Sequence, residues 1–381
     1  MSGLVRAQPA AAGAPARVMI CDDSATIRGA ISRMLEADPG IQVVSKVSNG
    51  RMAIEELKRT KVDVLVLDIE MPVLDGMTAL PLLLQTDPGL KVIMASTLTT
   101  RGADIAMRAL RMGAADYVPK PSTIGATSDE RFKSEIISKV KGLARLRNRA
   151  TLPVRPAASC MTRPAPMLPP KLLAIGSSTG GPQALFTLIQ ALGRSVNVPI
   201  VLTQHMPATF TPILAEHITR LGGLPCAEAK DGEALLPGQI YLAPGDKHLI
   251  IERDGTPAGG RLVGQPNGQR APMGGAVARA RLSSDPPENF CRPAVDPMLR
   301  SAAGACDGRV LVTMLTGMGH DGLAGTRRVV EAGGAAIAQD EATSVVWGMP
   351  GAIAQAGLCH AVLPLPRIAQ KLLEMLRVPA K

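Results

Sequence analysis

The sequence holds a hydroxyl, several imidazoles and a carboxylate at spacings that suit acyl transfer. Gly176-Ser177-Ser178-Thr179-Gly180-Gly181 satisfies G-x-S-x-G with Ser178 at its centre, after the apolar run Leu172-Leu173-Ala174-Ile175. A helical stretch follows Pro182, and a serine on such a strand–turn–helix is held exposed by its glycines. A glycine-rich turn of this kind also suits a phosphate or a dinucleotide. The Ser178 turn itself holds neither Gly-Lys-Ser/Thr nor G-x-G-x-x-G. A nucleophilic serine needs a base, and the chain has five histidines. His205 directly follows the apolar run Pro199 to Thr203, at a strand end on the same side of the sheet as Ser178. His217 lies in a helical stretch, His248 in an expected hairpin, His360 near the C-terminal strand, and His320 is the alternative base. Leu315-Thr316-Gly317-Met318-Gly319-His320-Asp321-Gly322 closes a further apolar strand. There Asp321 can orient an imidazole or cap the helix that follows, and Gly317 to Gly319 leave N–H groups for an oxyanion.

A second constellation is acidic. Asp22 and Asp23 close the apolar run Val18 to Cys21, and Asp68 closes Val62 to Leu67. Ser96 follows Val92 to Ala95, and Lys120 follows Ala115 to Val118. Any one of these aspartates could be a simple turn former. Three carboxylates with a lysine and a hydroxyl at strand ends suit a hard cation beside a phosphorylatable group.

The elements that must position these residues alternate between strand and helix in both halves. Nearly all-apolar strands indicate parallel sheets covered on both faces. The fold class expected is α/β with two doubly wound domains: a flavodoxin-like unit, then a Rossmann-like three-layer unit with a β-hairpin. The hairpin is expected from Gln239–Ala243 and Lys247–Glu252 around Pro244-Gly245-Asp246, and residues 254–290 are expected as loop. The divisions are a disordered tail over 1–16, a first domain over 17–140, a basic Pro/Ala-rich linker over 141–170 and a second domain over 171–381. A length of 381 residues agrees with two cores.

Charge and composition exclude other classes. The net charge is +10, but residues 141–171 hold seven Lys or Arg and no Asp or Glu. Most of the excess therefore sits in the joint, which argues against a nucleic-acid partner. No apolar run is long enough for membrane insertion, the N-terminus lacks a signal-peptide core, and the six cysteines have no paired spacing. A cytoplasmic protein is expected.

Residues 17 to about 140 resemble a receiver domain of bacterial two-component signalling. The matching pieces are Cys21-Asp22-Asp23-Ser24, Leu67-Asp68-Ile69-Glu70-Met71-Pro72, Ser96, Tyr117 and Lys120-Pro121. The resemblance implies that Asp68 accepts a phosphoryl group from a chemotaxis histidine kinase. It places Mg2+ on Asp22, Asp23, Asp68 and the backbone carbonyl of Glu70. Ser96 and Lys120 contact the phosphoryl group, Tyr117 reorients with it, and the Lys120–Pro121 bond can be cis. The whole chain from Arg17 resembles the chemotaxis response regulator protein-glutamate methylesterase/glutamine deamidase family. Its signatures are the Ser178 turn, Gln204-His205-Met206-Pro207, Leu315 to Gly322, Arg292-Pro293-Ala294-Val295-Asp296 and Trp347-Gly348-Met349-Pro350-Gly351. This implies Ser178 as nucleophile, His205 as base and Asp321 as its partner, with Thr179, Gly317, Met318 and Gly319 supporting the site. Methylated chemoreceptors in membrane-bound or cytoplasmic arrays are the implied substrate, and ester hydrolysis needs no cofactor.

Overall fold

The computed structural model describes residues 14–96, 99–120, 126–149, 163, 164, 166, 168–253 and 278–377. The chain divides into two compact units.

The first unit alternates β1 (Ala16–Cys21), α1 (Ala25–Glu36), β2 (Ile41–Val47), α2 (Gly50–Leu57), β3 (Val64–Asp68) and α3 (Gly76–Thr86). It continues with β4 (Lys91–Ser96), α4 (Thr100–Arg111), β5 (Asp116–Pro119) and α5 (Ala126–Arg149). All pairings are parallel, in the order β2-β1-β3-β4-β5. Helix starts follow local chemistry: the side chains of Ser24, Asn49 and Asp75 accept from backbone N–H groups three residues on, satisfying donors that the first turn leaves open. Because β1 and β3 sit centrally, Asp22 and Asp68 emerge side by side at their C-terminal ends.

The second unit opens with β6 (Leu172–Ser177), α6 (Gly181–Leu192), β7 (Ile200–Gln204), α7 (Thr211–Gly222), β8 (Cys226–Glu228), β9 (Ile240–Leu242) and β10 (His248–Arg253). Then come β11 (Ala278–Ser283), α8 (Val295–Ala305), β12 (Val310–Met314), α9 (Leu323–Glu331), β13 (Ala335–Gln339), α10 (Met349–Gln355), β14 (Ala361–Leu363) and α11 (Leu365–Leu376). Seven parallel strands run β14-β13-β12-β6-β7-β9-β8. Strands β6, β7, β12 and β13 are buried throughout, which is why they read as unbroken apolar runs. From β6 the chain first builds toward β7 and later returns to its other side with β12. The strand order reverses at β6, and such a switch point opens a crevice at the carboxyl ends.

Three expectations change. Gln239–Ala243 does not pair with Lys247–Glu252: β9 joins β7 and β8 in parallel, while β10 pairs antiparallel with β11. A strand therefore lies within the span expected as loop; its polar Arg279 and Arg281 hid the alternation. Helix α5 runs through Arg149, so residues 141–149 of the expected joint are helical. Several of the joint's charges are held within their own unit. Lys141 pairs with Asp38 at 2.9 Å, Arg147 with Asp87 at 2.7 Å, and Lys171 with Asp307 at 3.4 Å. The Lys120–Pro121 bond, the tail up to residue 13, residues 254–277 and most of 150–167 lie outside the described residues. No described helix is long and apolar enough to cross a membrane.

Gly308 has φ +72°, and a Cβ there would stand 1.9 Å from the Ala332 carbonyl oxygen. Gly308→Ala is expected to lower the second unit's stability by about 2–3 kcal/mol. Urea unfolding of the full chain, followed by the fluorescence of Trp347, its one tryptophan, measures this.

Candidate active site and acidic pocket

Ser178 occupies the turn between β6 and α6 and is half-buried. Its loop is pinned from both sides. Ser178 N–H donates to the Thr316 carbonyl at 3.0 Å, while Gln204 Nε2 donates to the Ser178 carbonyl at 2.9 Å and to that of His205 at 3.2 Å. Gln204 Oε1 accepts from Ser177 Oγ at 2.7 Å. Gly181 must be glycine, because a Cβ would meet Gln204 Oε1 at 2.0 Å. Thr316 Oγ1 donates to the Thr179 carbonyl at 2.8 Å, tying the loop after β12 to the serine turn.

His205 leaves β7 with its N–H on the Ser177 carbonyl at 3.1 Å, which brings it beside the serine loop. Its Nε2 lies 2.8 Å from Asp321 Oδ2. Its Nδ1 lies 3.4 Å from Cys291 Sγ. Among the described residues no hydrogen bond joins Ser178 Oγ to the ring. His320, the alternative base, is exposed on the loop before α9. His248 is buried, accepting from Ala294 N–H at 3.2 Å, and His360 Nδ1 faces the Arg163 carbonyl at 2.8 Å.

Asp321 is 2% exposed at its side chain, and its environment decides between the roles open to it. The N-cap position of α9 is Gly322, without a side-chain bond, so Asp321 does not cap the helix that follows it. It accepts instead from the first two N–H groups of α8: Val295 at 2.6 Å and Asp296 at 3.1 Å. Asp296 in turn accepts from Gly325 N–H of α9 at 2.5 Å. Each carboxylate thus serves the other's helix, and Asn289 Nδ2 bridges them at 3.0 Å to Asp296 and 2.9 Å to Asp321. Burial favours a neutral Asp321, but His205 and the two α8 N–H groups outweigh it and hold the carboxyl below its ordinary range. Burial likewise opposes a charged His205, yet Asp321 and the Cys291 sulfur lift the ring well above the usual imidazole range.

The proposed oxyanion donors divide. Gly317 N–H is spent on the Val346 carbonyl at 3.0 Å, and the Gly317 carbonyl accepts from Gly348 and Met349. Gly317 therefore cannot donate to the site. Its lack of a side chain serves another purpose, since a Cβ would stand 2.9 Å from that of Ser178 and 2.4 Å from Met349 Sδ. Thr179 adjoins Ser178 in its turn, and Met318 and Gly319 follow Gly317, which lies against Ser178.

In the first unit, Asp22, Asp23 and Asp68 each offer a carboxylate oxygen within 4.8 Å of the others. This all-oxygen donor set fits a hard divalent cation. The Glu70 carbonyl lies on the loop leaving β3, and the Glu70 N–H donates to Asp68. Lys120 Nζ bridges Asp68 at 2.6 Å and Asp22 at 2.8 Å. Burial lifts Asp68 above its ordinary range against the pull of Lys120, while the two carboxylates raise Lys120 despite its own burial. Ser96 is buried at the end of β4. Tyr117 is buried, with Lys139 Nζ 5.0 Å from its ring centre and donating to its carbonyl.

With both geometries in view, the similarities to known proteins are specific. A CheB methylesterase family model matches residues 173–372, and a response regulator receiver domain model matches residues 18–128.

The chain belongs to the CheB methylesterase family.

It is 52% identical to protein-glutamate methylesterase/protein-glutamine glutaminase 1 of Paramagnetospirillum magneticum, covering 94% of this chain and 96% of the relative. A protein of the same description from Rhodospirillum centenum, of its group 2 operon, is also 52% identical, with 94% of each chain covered. Among solved structures, the Thermotoga maritima CheB methylesterase catalytic domain matches with a TM-score of 0.47 at 38% identity, covering 55% of this chain and 100% of that one. Family membership accounts for the two-unit architecture. Several residues of the second site were hidden in the sequence: Gln204, Thr316, Asn289, Cys291 and Asp296. Gln204, Thr316 and Asp296 were signalled only by membership of short matching motifs, whereas Asn289 and Cys291 lie outside all of them.

The His205–Asp321 pair links stability to pH. A raised His205 contributes stability that is complete below its ordinary value of 6.5 and lost as pH climbs through its folded value. A lowered Asp321 contributes stability present above 3.8 and lost as pH falls through its folded value. His205→Ala is therefore expected to cost about 3 kcal/mol, most fully between pH 3.8 and 6.5, with the gap to the parent protein closing on the alkaline side. Urea unfolding across pH measures the gap.

Proposed function

We propose that this chain is a phosphorylation-activated serine hydrolase that demethylates γ-glutamyl methyl esters, and deamidates glutamines, on the cytoplasmic domains of chemoreceptors. The observation that carries the reading is the convergence of Ser178, His205 and Asp321 on three neighbouring strand ends, β6, β7 and β12. The relatives' names supply the substrate class.

Because Asp321 engages Nε2, Nδ1 of His205 is the nitrogen that takes the Ser178 proton. Ser178 Oγ then attacks the ester carbonyl, and the N–H groups of Thr179 and Met318 receive the developing oxyanion. Collapse of the tetrahedral species breaks the bond to methoxide, which leaves as methanol with the proton from His205. Water, deprotonated by the same nitrogen, attacks the acyl-serine and releases glutamate and free Ser178. A glutamine follows the same course with ammonia as the leaving group.

In the receiver, a carboxylate oxygen of Asp68 attacks the phosphorus of a kinase phosphohistidine, and imidazole leaves. Asp22, Asp23, Asp68 and the Glu70 carbonyl would hold Mg2+, which screens negative charge in the pocket when bound. Lys120 sits between Asp68 and Asp22, so a phosphoryl group on Asp68 redistributes its ion pairs. Ser96 and Tyr117 are the residues through which that change is read. On this reading the chain works in the cytoplasm at receptor arrays.

Ser178→Ala is expected to abolish methanol release from methylated receptor membranes with folding intact; near-normal turnover would remove Ser178 from the mechanism. Asp68→Asn is expected to keep basal release and lose stimulation by acetyl phosphate, and full stimulation of that variant would refute the gating.

A further inference from the structure

Residues 288–291 form a two-residue reversal that the reaction scheme above does not use. Glu288 and Cys291 exchange both backbone hydrogen bonds, at 3.1 and 2.9 Å. Between them Asn289 and Phe290 both take the left-handed region, with φ 52° and 62°. That conformation is unfavourable for side-chain-bearing residues and worst for bulky ones, and Phe290 gains no burial from it, being 85% exposed. What the reversal achieves is placement. Asn289 Nδ2 reaches Asp321 Oδ1, and Cys291 Sγ reaches His205 Nδ1. Strain of this kind persists only where the surroundings over-determine it, and it gathers at functional sites.

We propose that the Glu288–Cys291 turn is an additional arm of the catalytic centre, in which Asn289 and Cys291 are positioning residues that set the proton affinity of His205 in opposite directions. The proposal rests on the hydrolase reading above. Asn289 donates to the carboxylate that holds Nε2, which weakens the pull of Asp321 on the ring's proton. It also stands between Asp321 and Asp296, whose carboxyl is pushed upward by burial and by Asp321. Cys291 acts on the other nitrogen. Its sulfur faces the same Nδ1 that must accept the Ser178 proton, and by accepting from that nitrogen once it is protonated the sulfur favours the charged ring. The remaining charges around the pair are themselves paired. Arg300 engages Glu288 at 2.5 and 2.6 Å, Arg292 engages Asp246 at 2.6 and 2.9 Å, and His320 is exposed.

The test is the ascending limb of kcat/KM against pH, measured by methanol release from methylated receptor membranes with the full chain and with variants. Asn289→Gly removes the amide without straining a left-handed position, because glycine accepts positive φ. Cys291→Ala removes the sulfur, and Cys291→Ser retains a smaller polar group. The expected result is a limb raised by about one pH unit in Asn289→Gly and lowered by about one unit in Cys291→Ala, a tenfold change in the ring's protonation ratio in each case. Cys291→Ser is expected to fall between Cys291→Ala and the parent. Partial loss of folded protein scales the plateau but does not move the limb, so a purely structural role predicts no shift. Limbs that stay at the parent position, or that both move the same way, overturn the proposal. Substantial release by Ser178→Ala under the same assay would instead overturn the hydrolase reading on which it rests.

Discussion

The buried carboxylate of Asp321 is the interaction on which the second site depends. A charge this deep must be fully bonded, and Asp321 meets that requirement with the N-terminus of α8, the Asn289 amide and His205. The arrangement is reciprocal, since Asp296 of α8 completes the start of α9. Two helices and the His205–Asp321 pair are thereby locked in one network. The positive end of α8 favours the carboxylate, leaving it charged and aimed at the imidazole. This alignment requires that β12 and β7 flank β6, which the reversal of strand order at β6 provides.

The acidic pocket of the receiver is built on the same principle with the opposite outcome. There the carboxylates crowd one another, and among the described residues Lys120 bridges two of them. Burial raises Asp68 there, and the carboxylate oxygens of Asp22, Asp23 and Asp68 lie close enough together to share one cation. One parallel α/β architecture thus supports a fixed charge in one unit and a changeable one in the other.

Much of this was legible in the sequence because apolar strands in a parallel sheet are continuous, and the residues just after them are where a doubly wound sheet places its chemistry. Ser178, His205, Asp321, Asp22 and Asp68 could be read that way. Residues that act through backbone bonds could not. Asp321 was open to reading as a cap for α9 by adjacency, yet it caps α8, which starts 26 residues earlier in the chain. The Gly317 loop looked like a source of free N–H groups, but the segment around Val346 takes the donor at Gly317, and its glycine is needed for clearance at Ser178. The β10–β11 pairing was not legible because its second strand alternates alanines with arginines and lies far along the chain from the first.

In the proposed reaction Asp321 holds Nε2 of His205 and leaves Nδ1 as the base. Nitrogen-15 NMR of the full chain with labelled histidine rings, followed across pH, addresses it directly. Nε2 of His205 is expected to stay protonated through the neutral range while Nδ1 titrates, with a midpoint above the ordinary imidazole value. A ring in which Nδ1 keeps the proton and Nε2 titrates, or one that titrates as an ordinary exposed histidine, would contradict it.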